Sequence, residues 1–562
     1  MNGFKNFMTN VSLNKIYCYF LLMSSTILLS SSSFFLTDYL TIKISNNDFS
    51  VIQFDYALKN NIILALKIQE KKETKGSRNW LRLNKQLAKS ESSAALKLGL
   101  WFKKDTSQAI LWFEQAIRLN SQEAIVELTQ LYYQQDDLIR AKATLKLFSD
   151  VQKNTTLAEA ALLLRFKMAI YAGESNILDQ LLNSEALTLY RNIEIDRLLA
   201  DIYKYRIVSS KITPINRILN NGKHLNKPLP KESNSASFEH QRSLSCITSL
   251  QLFATNLEHL KHLEQLIKKF KVEQALSKFI CLPIPLYISN KRLECVTKPS
   301  EAITCNESLW QSVADKVDSR NIGLMLEKGG ANVHLGILYF DVEDDVNVFS
   351  HEVSHLLGFV DEYPLINKHV ICESVQNESF SHNIAVLNQY YQGEKEGVRK
   401  KILKGIPWAD DIKESTPILE AVPQNLNRIK YWRLGTPESY KNEVGVYPSE
   451  SCQKSEKSTS QALKNSSIKN MNLPKFDLSI YSAFKPLHRP TQLRYYSNTF
   501  PNEYIAMVEE RPLTYLMPSF HYNIALSLYQ KGKISAAIHW LKVASKWEKD
   551  PLRKKIILEG AF

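Results

Sequence analysis

The residues with the clearest chemical potential lie in FSHEVSHLLGFVDEY, from Phe349 to Tyr363. His351 and His355 are four apart, Glu352 follows the first histidine, and Gly358 and Asp361 come after. At average residue frequencies an H-E-x-x-H string arises by chance in roughly one chain in a hundred of this length, and the added glycine and aspartate make coincidence about a hundred-fold rarer. On a helix, the four-residue step puts both imidazoles within reach of one ion, about 2 Å from each nitrogen for Zn²⁺. Gly358 can take the left-handed conformation that ends a helix and turns the chain back, which makes Asp361 the expected third ligand. Glu362, Glu373 and Glu378 are the alternatives for that place. Glu352 points away from the histidine direction and is expected as a general base beside an open metal position, not as a ligand. Such a set suits amide hydrolysis, with water attacking the carbonyl and Glu352 passing its proton to the leaving amine.

These side chains need a helix over Val346–Leu357, with Asp344 or Asp345 as N-cap. On it Val346, Phe349, Val353, Leu356 and Leu357 form one apolar stripe, and the histidines project from roughly the opposite side. Strand-like runs precede it: ICLPIPLYI, then NIGLMLE and ANVHLGILYF, the last two joined by a hairpin turn at Lys328, Gly329 and Gly330. His334 within that strand is expected to be packed rather than catalytic. A long amphipathic helix, LEHLKHLEQLIKKFKVEQALSKF, carries His259 and His262 with no third ligand nearby, so both are expected on the surface.

HEVSHLLGFVD resembles the zincin metallopeptidases, and its extended form resembles the metzincin pattern H-E-x-x-H-x-x-G-x-x-H with aspartate in the last position. The following DEY is loosely similar to bacterial immunoglobulin A peptidase-type enzymes. The resemblance implies an α+β catalytic domain with a mixed sheet and an active-site helix, His351, His355 and Asp361 as zinc ligands, and Glu352 as general base. It also implies an edge strand that pairs with extended substrate, here Ile322 to Glu327, and a methionine turn under the metal, for which Met517 in YLMPS is the candidate. Tyr363 is either a donor to the oxyanion or a structural residue of the turn.

The chain of 562 residues has 44% hydrophobic and 23% charged residues with only 17 glycines, a composition that leans towards helices. Its net charge of +14 comes from Lys and Arg spread along the chain, without a nucleic-acid module, so no nucleic-acid partner is expected. After Lys5 and Lys15 an uncharged run from Ile16 to Thr37 is long enough to span a bilayer. Residues 1–37 are therefore expected as a signal anchor, which would tether the remainder in a bacterial periplasm or at the cell surface, or as a signal peptide cut near Ser30 to Ser33, which would leave it secreted. Six cysteines lie outside that run, Cys246, Cys281, Cys295, Cys305, Cys372 and Cys452, as an oxidising compartment permits. Fifteen pairings are open, Cys295 with Cys305 being the most local.

Between Ser92 and Phe148, two helical stretches align at an offset of about thirty residues. Ala95, Ala109, Ala116, Ala124 and Ala141 alternate with Leu98, Trp112, Phe113, Leu128, Leu131 and Leu145, as close helix stacking requires. These segments resemble tetratricopeptide or Sel1-like repeats, and HYNIALSLYQKGKISAAIHWLKVASKWEKDP near the end resembles one more. The expected organisation is residues 38–206 as helical repeats, 207–240 as a linker, 241–517 as the catalytic domain and 518–562 as C-terminal helices. The function this implies is a membrane-tethered zinc endopeptidase acting on protein or peptide, with repeats that bind a partner. Competing expectations are an interaction scaffold with a degenerate metal domain and an amidase acting on cell-wall peptides.

Overall fold

The computed structural model describes residues 35–149, 155–190, 192–207, 246–289, 292–298, 301–365, 369–376, 378–422, 430–452, 478 and 480–561. Most of the expected anchor and linker, residues 16–34 and 208–240, lies outside these. Among the described residues no helix is long and apolar enough to cross a membrane. The chain divides into two compact units, one of Met1–Met168 with Asn183–Asp196 and one of Ala169–Leu182 with Arg197–Phe562.

The first unit is helical: α1 (Val51–Lys59), α2 (Ile63–Lys72), α3 (Arg78–Leu87), α4 (Ser92–Trp101), α5 (Thr106–Arg118), α6 (Gln122–Gln134) and α7 (Leu138–Leu145) follow one another through short turns. Side-chain caps begin most of them, for example Ser50 on α1, Ser77 on α3, Asp105 on α5, Ser121 on α6 and Asp137 on α7. The small residues Ala95, Ala109, Ala116, Ala124 and Ala141 are fully buried, and so is Phe113. A Cβ at Gly99 would meet the Phe113 ring at 2.5 Å, so a glycine there lets α4 and α5 approach closely.

The second unit mixes helices with sheet. Its main sheet has the order β2 (Ile280–Cys281), β1 (Thr248–Ala254), β4 (Asn321–Leu326), β6 (Ile337–Asp341) and β5 (Asn332–His334), with β3 (Leu286–Tyr287) also beside β1. β1, β4 and β6 run parallel, and α8 (Leu257–Glu273) links β1 to the strands that follow. β4 and β6 are buried along their whole length, as strands covered on both faces must be. Ile322, Leu324 and Leu326 share a core with Phe520, Ile524, Leu528 and Trp540 of α11 (Phe520–Gln530) and α12 (Ile534–Ser545). Within the same unit Phe340 of β6 packs on Phe349, and Phe349 on Phe270 of α8. The described C-terminal helices thus share one core with the sheet.

Four expectations are corrected here. β4 is hydrogen-bonded on both sides, by β1 and β6, so residues 322–327 cannot serve as an edge strand. On the β6 side the edge is β5, whose His334 carbonyl already accepts a hydrogen bond from Asn523. The hairpin is not at Lys328–Gly330 but between β5 and β6, where Leu335 (φ 44°) and Gly336 (φ 85°) make the two-residue turn. A left-handed pair reverses the chain with the twist of the strands, and this divides ANVHLGILYF into two. His259 is buried rather than on the surface, its Nε2 2.9 Å from Glu327 at the end of β4. His334 is half-exposed, not packed, and its Nδ1 lies 2.9 Å from Glu307.

The disulfides are Cys246–Cys281, Cys295–Cys305 and Cys372–Cys452, a set that suits an oxidising, extracytoplasmic environment. Two smaller three-stranded sheets, β8 (Tyr390–Gln392) with β10 (Tyr431–Leu434) and β9 (Leu419–Ala421), and β11 (Tyr447–Pro448) with β12 (Tyr481–Lys485) and β7 (Ala385–Asn388), complete the strands.

On α11, His521 is buried among Phe520, Trp540 and Trp547, and burial lowers its pKa to about 4. Its unfolded-state value is near 6.5, so between pH 6.5 and 4 the unfolded chain binds more protons than the folded one. Stability from this site is complete above pH 6.5 and is lost on acidification through that window, by up to about 3 kcal/mol. Unfolding midpoints followed from pH 7 to 4.5 should fall less steeply in His521→Phe than in the wild type; parallel slopes would exclude this residue as a source of acid sensitivity.

Candidate metal centre

The helix α9 (Val346–Leu356) follows β6 directly, and Asp345 caps it by accepting the amides of Asn347 (2.8 Å) and Val348 (3.0 Å). Val346, Phe349, Val353, Leu356 and Leu357 are buried, which seats one side of the helix on the sheet and α8. Gly358 (φ 95°) ends the helix, and a Cβ there would lie 2.2 Å from the Tyr515 carbonyl oxygen, so conformation and space both demand glycine. The chain then doubles back and brings Asp361 over the two histidines.

His351 Nε2 and His355 Nε2 are 3.2 Å apart, and Asp361 Oδ1 lies 3.0 Å from the first and 3.3 Å from the second. Neighbouring ligand atoms of a tetrahedral ion with bonds near 2.0–2.1 Å are separated by about 3.3 Å, so the three atoms match the edges of such a site. Each histidine places Nδ1 against a backbone carbonyl, His351 on Gln492 (2.9 Å) and His355 on Phe359 (3.0 Å). An Nδ1–H donor in both rings leaves the Nε2 lone pairs facing Asp361, the tautomer that a metal ligand needs. Asp361 Oδ1 is buried and receives no hydrogen bond. A buried carboxylate oxygen without a donor is costly, and a divalent cation at the point shared with the two nitrogens would satisfy it.

Electrostatics agree with this geometry. Burial opposes the Asp361 anion, yet His355 and His351 outweigh it and hold the carboxyl well below the usual range. Burial likewise opposes the His355 cation, but Asp361 pushes its pKa up to about 10. A divalent cation at the shared point would compete with protons for the same Nε2 atoms, so its binding depends on pH. Burial raises Glu352, the two histidines only partly countering it. Only 4% of Glu352 is exposed, so its carboxyl sits in a low-dielectric setting beside the ligands, where a proton acceptor is tuned upwards.

Among the described residues, His351, His355 and Asp361 form the only group of three or more His, Cys, Asp or Glu side chains close enough to share an ion. Glu373 and Glu378 are not brought to it. Glu362 is occupied elsewhere, by Lys485 Nζ on one oxygen (2.6 Å) and the Tyr504 hydroxyl on the other (2.6 Å). Met517 donates its amide to Leu356 at the end of α9 (3.1 Å), while its sulfur lies 3.1 Å from the Gly336 amide. Arg320 grips the Met517 carbonyl (2.9 Å) and is paired with Glu548 (2.6 Å), which ties this segment to the C-terminal helices.

Two tyrosines border the histidines. Tyr363 stacks on His351 at 6.3 Å between ring centroids, and burial with the nearby Asp361 charge keeps its phenol far above the ordinary range. Tyr496 meets His351 edge to face at 4.6 Å, its pKa pushed up to about 12 by burial and by Glu352 and Asp361. A neutral phenol beside a metal centre is a hydrogen-bond donor for a developing anion. Sequence reasoning missed Tyr496, as it missed Gln492: each lies far downstream of the motif, in a stretch with no periodic signal.

No protein-family model matches the chain, and no curated protein matches it significantly.

Proposed function

We propose that the second unit is a zinc-dependent peptidase and that the chain works outside the cytoplasm. The observation that carries this is the convergence of two Nε2 atoms on a buried, unbonded carboxylate oxygen, with the buried Glu352 directly after the first ligand. Two imidazoles and one carboxylate suit zinc, and the resemblance of HEVSHLLGFVD to zincins points the same way. Zinc held by His351, His355 and Asp361 would supply a Lewis acid and a water acidified towards neutrality.

The remaining steps belong to this chain's own side chains. Glu352 accepts a proton from the attacking water as the new C–O bond forms. The carbonyl π pair moves onto oxygen, where the Tyr496 hydroxyl can donate. Glu352 then delivers the proton to the amine nitrogen as the C–N bond breaks. Three ligands from the protein leave a fourth position for water or substrate, whereas a purely structural zinc site fills it with another side chain. The helical unit, with its resemblance to tetratricopeptide repeats, is assigned to partner binding, and the apolar run Ile16–Thr37 to membrane tethering.

Metal analysis and digestion of a peptide library by the purified full-length protein test this. The expected result is about one zinc per chain and cleavage that a chelator abolishes and added zinc restores. A metal-free sample that is folded and active would overturn the metal reading. Inertness towards peptides, with release of fragments from purified cell wall run in parallel, would replace a peptidase by an amidase.

A further inference from the structure

We infer that Tyr504 is a positioning residue that holds two of the three metal ligands in place at once, with Lys485 as its partner; this rests on reading His351, His355 and Asp361 as the ligands. Tyr504 lies on α10 (Asn502–Glu510) and is fully buried. Its hydroxyl donates to Glu362 Oε1 at 2.6 Å, and Glu362 is the residue directly after Asp361. Its ring stacks on Phe359 with centroids 5.4 Å apart and planes 23° from parallel. The Phe359 carbonyl is the one that receives His355 Nδ1. One side chain therefore grips the ligand-bearing turn at both ends, at Phe359 and at Glu362, with Asp361 between them.

The turn needs such a grip because residues 359–363 belong to no helix or strand. Lys485 completes it from the other side of Glu362, donating to Oε2 at 2.6 Å and to the Arg489 carbonyl at 3.1 Å. Lys485 and Glu362 are both buried, and a buried pair of this kind is retained for orientation more readily than for net stability. The same stretch of chain serves the remaining contacts: the Leu493 carbonyl accepts the Glu362 amide (3.0 Å), and the Gln492 carbonyl accepts His351 Nδ1. Residues 485–504 thus touch the support of every ligand, and Tyr504 is the member that couples His355 to Asp361. Groups behind metal ligands typically set affinity by about 10–100-fold.

The test is zinc affinity of the full-length protein, measured by competition with a chromophoric chelator, for the wild type, Tyr504→Phe and Tyr504→Leu. Tyr504→Phe keeps the stacked ring and removes only the hydroxyl, and is expected to weaken zinc about 10-fold; Tyr504→Leu removes both grips and is expected to weaken it about 100-fold. The visible absorption of the cobalt-loaded protein should shift or weaken in the same order. A residue that only supported the fold would lower the melting temperature of the metal-free protein and leave zinc affinity and the cobalt spectrum unchanged, which would overturn the inference. If Tyr504→Leu does not fold, the near-isosteric Tyr504→Phe decides alone. A wild type that binds neither metal would bring down the metal-centre reading and the inference together. A wild type and a Tyr504→Phe variant with equal affinity would bring down the inference only.

Discussion

Glu352→Gln is expected to reduce peptide hydrolysis by about 10²–10⁴-fold while the protein keeps its zinc. Glutamine has nearly the same shape and preserves packing at a position that is 4% exposed, but it cannot take a proton from water. Glu352 is outside the trio of ligand atoms, so metal content should not follow the loss of rate. Initial rates on a cleavable peptide, together with zinc per chain, check both parts. A variant that cleaves at the wild-type rate would exclude Glu352 as the general base.

Asp361→Asn carries the second large effect. The substitution removes the negative charge of a buried carboxylate whose Oδ1 lies 3.0 and 3.3 Å from the two Nε2 atoms and has no donor. A neutral amide oxygen is a poor match for Zn²⁺, so affinity is expected to fall by more than about a hundredfold. Ser451 still bonds the backbone carbonyl of residue 361 at 2.6 Å, and Glu362 still anchors the turn, which should preserve the local chain path. Zinc titration of the folded variant decides. Retention of wild-type affinity would return the third-ligand role to another carboxylate.

Both expectations depend on residues adjacent in sequence, and that adjacency explains why the centre was legible before any tertiary contact was known. A four-residue step, an aspartate N-cap and a glycine that ends the helix are local rules, set by backbone geometry within about one turn on either side. They placed His351, His355 and Glu352 on one helix between Asp345 and Gly358, where the structure has them. The cysteine count spoke of compartment for the same reason, since it depends on residue type alone.

Contacts between distant segments were not legible. The apolar run of β4 is equally compatible with an edge and a central strand; its central place was decided by β1 and β6 pairing with both of its hydrogen-bonding edges. His259 follows an amphipathic pattern that looks exposed, yet Glu327 and the end of β4 enclose it. Glu362 and Asp361 are adjacent carboxylates, and only Lys485 and Tyr504, more than a hundred residues on, separate an anchored glutamate from an available aspartate.

By itself, then, the sequence determined the chemistry on offer: two imidazoles, one base and a turn able to bring a carboxylate back, all within reach of local helical geometry. Only the tertiary structure decided which carboxylate is left without a donor, which carbonyls orient the imidazoles, and that Tyr496 and Tyr504 stand at the centre. Those outcomes come from packing across long sequence separations, where burial and hydrogen-bond satisfaction select among partners that the order of residues leaves equivalent.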